Sequence, residues 1–302
     1  MYKKIVGYNR YIISFVGILL MIILAGAFGN HEIILPEMAA LIAGTLIYEE
    51  KPWLYKPFHL FILPTITAIA GFLINMLPVV LVVKLIAIIF VMILVLLVFK
   101  SRLGPSLATG LLPIITNAHS PAFIVSIIIA TLVLYLTIKS LKLDKLASEE
   151  NAPAASLRIS LLYIGIVVLW LFICYELNVE NLCAAPPVLV VLFEMIHKPQ
   201  YPQKMYFKQV AMLTIVASLS VLSLFVFENF IIVAIVNFFI ATIVLNIFKL
   251  KMPPAYALCI LPLVLPHNTV QYLPVSIFAM SVVLYGIIYL LKYKATKNLA
   301  TA

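Results

Sequence analysis

The 302-residue chain is 65% hydrophobic and only 10% charged, whereas about a quarter of the residues in a soluble domain are charged. With a mean hydropathy of +1.19, this excludes a soluble enzyme or binding module and describes an all-α polytopic membrane protein. The formal charge of +9 does not indicate nucleic acid: the basic residues come in ones and twos between apolar runs and build no stripe that could follow a phosphate backbone.

Taken in order, the apolar runs of the first half are Tyr11–Phe28, Ile33–Tyr48, Phe58–Ile74, Leu77–Phe99, Gly104–Thr116 and Pro121–Ile138. Those of the second are Ile159–Leu177, Leu182–Ile196, Val210–Phe227, Phe230–Phe248, Pro253–Leu265 and Leu273–Leu291. Lys3, Lys4 and Arg10 before the first run, with Ala25-Gly26-Ala27 near its end, have the form of a signal peptide. The matching run after Arg158 is internal, so a retained helix is expected.

The two halves repeat each other. Arg102-Leu103-Gly104-Pro105-Ser106 through Pro113 matches Lys251-Met252-Pro253-Pro254-Ala255 through Pro262 at an offset of 149. Arg10 matches Arg158, Asn30-His31-Glu32 matches Asn178-Val179-Glu180, and Lys51-Pro52 matches Lys198-Pro199, at offsets of 147 or 148. Residues 1–140 are therefore expected to form one transmembrane repeat and 158–302 a second. The polar stretch 141–157, which holds the chain's one aspartate (Asp144), Glu149-Glu150 and Asn151-Ala152-Pro153, is expected to be a cytoplasmic linker.

If about twelve segments cross, starting inside, then 19 of the 20 Lys and Arg residues fall on the inner side, as the positive-inside rule requires. Both termini are then cytoplasmic in the cell (plasma) membrane. An even number of segments per repeat gives two parallel six-segment repeats related by an axis along the membrane normal. Segments 2, 5, 8 and 11 are short, and the thirteen residues of segments 5 and 11 span only roughly 20 Å at 1.5 Å each, less than a bilayer core. Each is expected to be completed by extended backbone buried among longer helices.

Short Pro-interrupted segments at matching places in two repeats point to a transporter's binding site. Gly104, Pro105 and Ser106, and Pro253, Pro254 and Ala255, each suit a helix start, whose free N–H groups and dipole can hold an anion. The alternative is that Pro merely starts the helix while Arg102 and Lys251 snorkel. Glu37, after Pro36 at the start of a short run, and Lys84, seven residues into a long one, are costly inside a bilayer and are the remaining candidates for substrate contact or proton coupling. At similar depth they would form an ion pair. Glu194, Glu49 and Glu50 read as interfacial charges, and His119 and His267 as loop residues. Asn75, Asn117, Asn237, Asn246, Thr65, Thr67 and Thr109 read as interhelical hydrogen-bonding groups.

Cys174, Cys183 and Cys259 lack ligand or redox spacing and read as small buried hydrophobes. Without an in-membrane carboxylate pair, a Ser-His-Asp set, a phosphate loop or a metal-ligand cluster, no enzymatic activity, metal or cofactor is expected.

Leu103 to Pro113, and Met252-Pro253-Pro254-Ala255-Tyr256-Ala257-Leu258, resemble the His-Pro-Pro-Ala-x-Ala pattern of the HPP family of integral membrane proteins. Leu35-Pro36-Glu37-Met38-Ala39-Ala40-Leu41-Ile42-Ala43-Gly44 with Lys51-Pro52-Trp53 is similar to the segments preceding that motif. Leu103 and Met252 stand where the family has its His, and the family's usual unit is a single four-helix copy. Some members are implicated in nitrite transport, so the resemblance implies a small-anion permease. The expected function is thus a permease or secondary transporter whose partners are the lipid bilayer and a small anionic solute. The alternative is a non-transporting scaffold or accessory subunit.

Overall fold

The computed structural model describes residues 2–148, 154–179 and 184–300, and of residues 2–8, 267 and 294–300 the backbone alone. Glu149 to Pro153, Glu180, Leu182 and Cys183 lie outside the described residues. The helices are α1 (Tyr2–Phe28), α2 (Pro36–Ile42, continued by a π-helical turn Ala43–Ile47), α3 (Lys51–Leu54), α4 (His59–Asn75), α5 (Leu81–Val98), α6 (Pro105–Ile115) and α7 (Pro121–Ser140). After the linker come α8 (Leu157–Glu176), α9 (Pro186–Ile196), α10 (Gln203–Val226), α11 (Phe230–Phe248), α12 (Pro254–Ile260, continued by a 3-10 turn Leu261–Leu263), α13 (His267–Val270) and α14 (Leu273–Ala300). Among the described residues there is no strand.

Among the described residues seven helices, α1, α5, α7, α8, α10, α11 and α14, are long and apolar enough to cross a membrane. They wear their apolar side chains outward, as lipid in place of water requires: on α1, Ile12, Val16 and Leu20 are exposed at four-residue spacing while Ile18, Ile22 and Ala25 are buried. This is a multi-pass membrane protein. The shorter helices form its interior. Every residue of α12 is buried, as are all but the last of α6 and nearly all of α9.

Burial explains how the short helices persist. A helix enclosed by protein need not reach either interface, provided the chain leading into it finds polar partners. Before α2 the chain makes a 3-10 turn, His31–Ile33, and then runs extended through buried Ile34 and Leu35, whose N–H meets the Met21 sulfur at 3.1 Å. Pro36, Pro105, Pro186 and Pro254 each lie at a helix start, where a missing N–H costs no bond.

Glu32 closes one end of the first half: its two carboxylate oxygens accept from the His119 and Ser120 N–H groups, at 3.0 and 2.8 Å, where α7 begins. An anion there is favoured by the helix dipole. At the other helix ends lysines do the converse work. Lys208 donates to the Phe248 carbonyl at the end of α11 (2.9 Å), and Lys292 to Met195 at the end of α9 (2.8 Å), supplying partners to carbonyls that have none within their helices.

Several predicted polar residues do bridge helices. Thr67 on α4 meets Thr109 on α6 at 2.8 Å, and Asn237 on α11 donates to the Cys259 carbonyl of α12 at 2.8 Å while accepting from Ser223 on α10 at 2.6 Å. The cysteine expectation divides. Cys259 is a free buried thiol, but Cys174, at the end of α8, is disulfide-bonded. Its pairing depends on which residues the fold brings together, and no spacing motif announces it.

Candidate functional site

The short helices pack crosswise between the two halves. α2 lies against α12 and α6 against α9, with further contacts between α2 and α6 and between α9 and α12. The candidate residues at the starts of α6 and α12 therefore sit at one end of this four-helix core, beside the last turns of α9 and α2. They are dry. Ser106 is fully buried and its hydroxyl donates to the Leu103 carbonyl at 2.6 Å, while Pro105, Pro253, Pro254 and Ala255 are buried as well.

A carboxylate from the other half already stands at the start of α6. A Cβ built on Gly104 would lie 3.3 Å from Glu194 Oε1 and 3.1 Å from Val190 Cγ1, so glycine is what lets α9 approach. A carboxyl against a helix N-terminus is favourably placed, and it changes what the site can do: an incoming anion meets the Glu194 carboxyl before it meets the helix dipole. Sequence reading placed Glu194 at an interface. Its place as the one charged residue in the otherwise apolar run Pro186–Ile196 was the signal that could have marked it.

More ionisable groups converge here. Glu50, in the turn between α2 and α3, feels Lys198 after α9 and Lys251 before α12; burial pushes its carboxyl above the usual range, and the two lysines oppose that. Three residues after Glu194, His197 bonds the Phe193 carbonyl through Nδ1 at 2.7 Å; a carbonyl can only accept, so Nδ1 carries the proton. Its Nε2 is buried without a partner. The rings of Tyr48 and Tyr256 lie with centroids 6.4 Å apart, tilted by 55°, and the Tyr256 hydroxyl lies 3.1 Å from that of Thr242. The seam thus gathers acids, bases and hydroxyls from both halves, around helix starts that sequence reading singled out.

Glu37 and Lys84 are elsewhere and apart. Lys84, in the first turn of α5, donates to the Asn75 carbonyl at 2.6 Å, where α4 ends, and its amine is 3.4 Å from Asn75 Oδ1. Asn75 in turn donates to the Ala118 carbonyl at 3.0 Å. The expected ion pair with Glu37 does not form; among the described residues the ion pairs are Arg10 with Glu49 and Lys139 with Asp144. A helix C-terminus attracts a cation, and that is the physical reason Lys84 turns to Asn75 instead. Replacing Lys84 with Met should lower thermal stability in detergent, by about 1–3 kcal/mol for an abandoned carbonyl; an unchanged melting temperature would show that water serves Asn75 equally well.

Glu37 itself is 1% exposed, and its Oε2 has no hydrogen-bond partner. At the same end of the molecule a cavity of about 80 Å³ opens beside the start of α9, lined by Leu81, Leu85, Pro186, Leu265 and Ser276 among others. At roughly 30 Å³ of liquid volume per molecule it would hold a few waters. None of the sequence-predicted site residues lines it.

Among the described residues no group of three or more His, Cys, Asp or Glu could hold a metal ion. No family model, curated protein or solved structure matches the chain.

Proposed function

We propose that the chain is a permease or secondary transporter for a small anionic solute, built from two parallel six-segment repeats, with the solute path at the seam of α2, α6, α9 and α12. The observation that carries this reading is the crosswise packing. α1 packs on α11 as α8 does on α5, and α2 packs on α12 as α9 does on α6, so contacts between the halves come in matched pairs.

Local geometry supports the duplication, at an offset of 149 that pairs Asn178 with Gly29 and not with Asn30. Gly29 and Asn178 both take positive φ, +60° and +55°, and Lys100 and Lys249 do the same at +48° and +54°. The closing bond from Asn30 N–H to the Ala25 carbonyl has its counterpart from Val179 to Cys174, both 3.0 Å. Ser101 to Leu96 at 2.9 Å matches Leu250 to Leu245 at 3.0 Å. In this reading the basic end faces the cytoplasm with both termini, in the cell membrane, and twelve segments cross. Two repeats of one orientation around a shared seam make a natural setting for alternating access.

The dry seam favours a second reading, in which the same packing serves a non-transporting scaffold or accessory subunit. Both are tested by reconstituting the protein in proteoliposomes and measuring uptake of small anions: nitrite, in whose transport some HPP-family members are implicated, together with nitrate and chloride. Saturable uptake that falls at least tenfold with Ser106→Trp is expected. Folded protein that admits none of these anions faster than empty liposomes would defeat the permease reading and favour the scaffold.

A further inference from the structure

Glu37 has a buried oxygen with nothing to neutralise it. Its Oε2 lacks a partner at 1% side-chain exposure, and an unpaired carboxylate is among the costliest groups to bury in an apolar interior. α2 packs against α1, α6, α7 and α12. α6 carries no ionisable side chain. On α1, Arg10 pairs with Glu49 at the basic end, where Tyr11 also lies; on α7, Lys139 pairs with Asp144 and Tyr135 packs edge-on against Phe58. On α12 the Tyr256 hydroxyl meets Thr242, and the Cys259 thiol accepts from Ser220 at 3.5 Å. In the turn before α2, Glu32 holds the start of α7 and His31 packs against Phe230, with ring centroids 5.3 Å apart. Lys84 is engaged with Asn75.

The donor set also speaks against a metal ion at this point. Calcium or magnesium needs six or more oxygens, whereas the first turn of a helix offers N–H groups, and the described residues hold no ligand cluster. A second anion would meet the carboxylate's own charge. What remains is the smallest cation.

We infer that Glu37 is a proton-binding site. A proton on Oε2 makes the side chain a neutral acid while the start of α2 is closed off. Release breaks the Oε2–H bond and passes the proton to water, leaving the electron pair on the carboxylate. The ionised form is then tolerable only when water reaches it. The route to water is short, because Glu37 follows Glu32 by one 3-10 turn and the extended pair Ile34 and Leu35. Opening that turn would exchange the proton with the face opposite the basic end. The inference rests on the permease reading for its use in transport, but occupancy of the site by a proton does not.

The experiment is infrared spectroscopy of the full chain in lipid nanodiscs at pH 7, where exposed carboxylates are ionised. The protonated-carboxyl C=O absorption of the wild type is expected to lose one component in Glu37→Gln, while Glu50 and Glu194, partly buried carboxyls, contribute equally to both spectra. A spectrum without any such absorption in the wild type, or one left unchanged in folded Glu37→Gln, would overturn the proposal. If Glu37→Gln does not fold, Glu37→Asp with carboxyl-labelled aspartate serves instead, because the only other aspartate is Asp144. An isotope-shifted band at pH 7 supports the site, and its absence rejects it. The band is read without solute, so failed anion uptake would remove the permease reading while leaving this result standing.

Discussion

Gly71→Ala should prevent α4 and α6 from closing on each other and lose most of the folded protein. A Cβ at position 71 would overlap the Gly110 carbonyl oxygen, come 2.9 Å from its carbon and lie 3.0 Å from Pro113 Cγ. Two of these are backbone atoms, which cannot swing aside as a flexible side chain can. Gly110 has no room either, since its own added Cβ would meet Met92 Sδ at 2.5 Å and the Thr67 carbonyl oxygen at 3.1 Å. The helices must therefore separate, breaking the Thr67–Thr109 contact that joins them. Small residues permit such approaches between membrane helices, where packing supplies most of the attraction. The cost is expected to reach about 3 kcal/mol, at the upper end for overpacking. Gly165→Ala, with nothing within 4 Å of the added methyl, is the control and should gain slightly from helix propensity. Thermal unfolding and size-exclusion profiles in detergent check both; equal stability of the two variants would show that α4 can shift without loss. Where α10 packs on α12, Ser220 and Cys259 touch at 3.5 Å through their side chains, so that crossing accommodates larger residues.

How much could be read beforehand follows from which forces act locally. Long apolar runs such as Phe230–Phe248 appear as helices with the very limits that sequence indicated, because a lipid-exposed segment must satisfy its backbone within itself. The starts of α6 and α12 were also legible, since proline at the first turn is a local signal. The charges were harder. Glu194 looked interfacial because its distance from Lys198 is a sequence property, while its proximity to Gly104 depends on α6 and α9 packing between halves. Lys84 and Glu37 looked like partners because each was orphaned along the chain; the end of α4 supplied a nearer carbonyl for the lysine. The disulfide at Cys174 and the π-helical turn in α2 share this origin, for both depend on contacts made across space.

That π-helical turn carries the second large effect. Gly44→Ala should destabilise the protein, and Trp53→Leu should restore much of the loss in the double mutant. An added Cβ at position 44 would overlap Trp53 Cζ3 and lie 2.7 and 2.8 Å from Cε3 and Cη2. Trp53 is 6% exposed, so its ring cannot swing into open space. The turn exists because α2 widens here: the Tyr48 N–H reaches back to the Ala43 carbonyl at 3.0 Å, and Glu50 N–H takes the Gly44 carbonyl at 2.9 Å. Such widened turns recur at functional sites. In this one the extra residue sets Tyr48 opposite Tyr256 and brings Glu50 toward Lys198 and Lys251, so displacing Trp53 disturbs the seam itself. Gly44→Ala is expected to cost about 2 kcal/mol as an overpacked site. A coupling of at least about 1 kcal/mol should appear in the double-mutant cycle for residues in direct contact. Additive losses would mean that α2 relaxes by another route and that the seam does not depend on the tryptophan. Coupling accompanied by restored nitrite uptake would tie the wide turn to transport, because the smaller leucine returns the space that glycine provides.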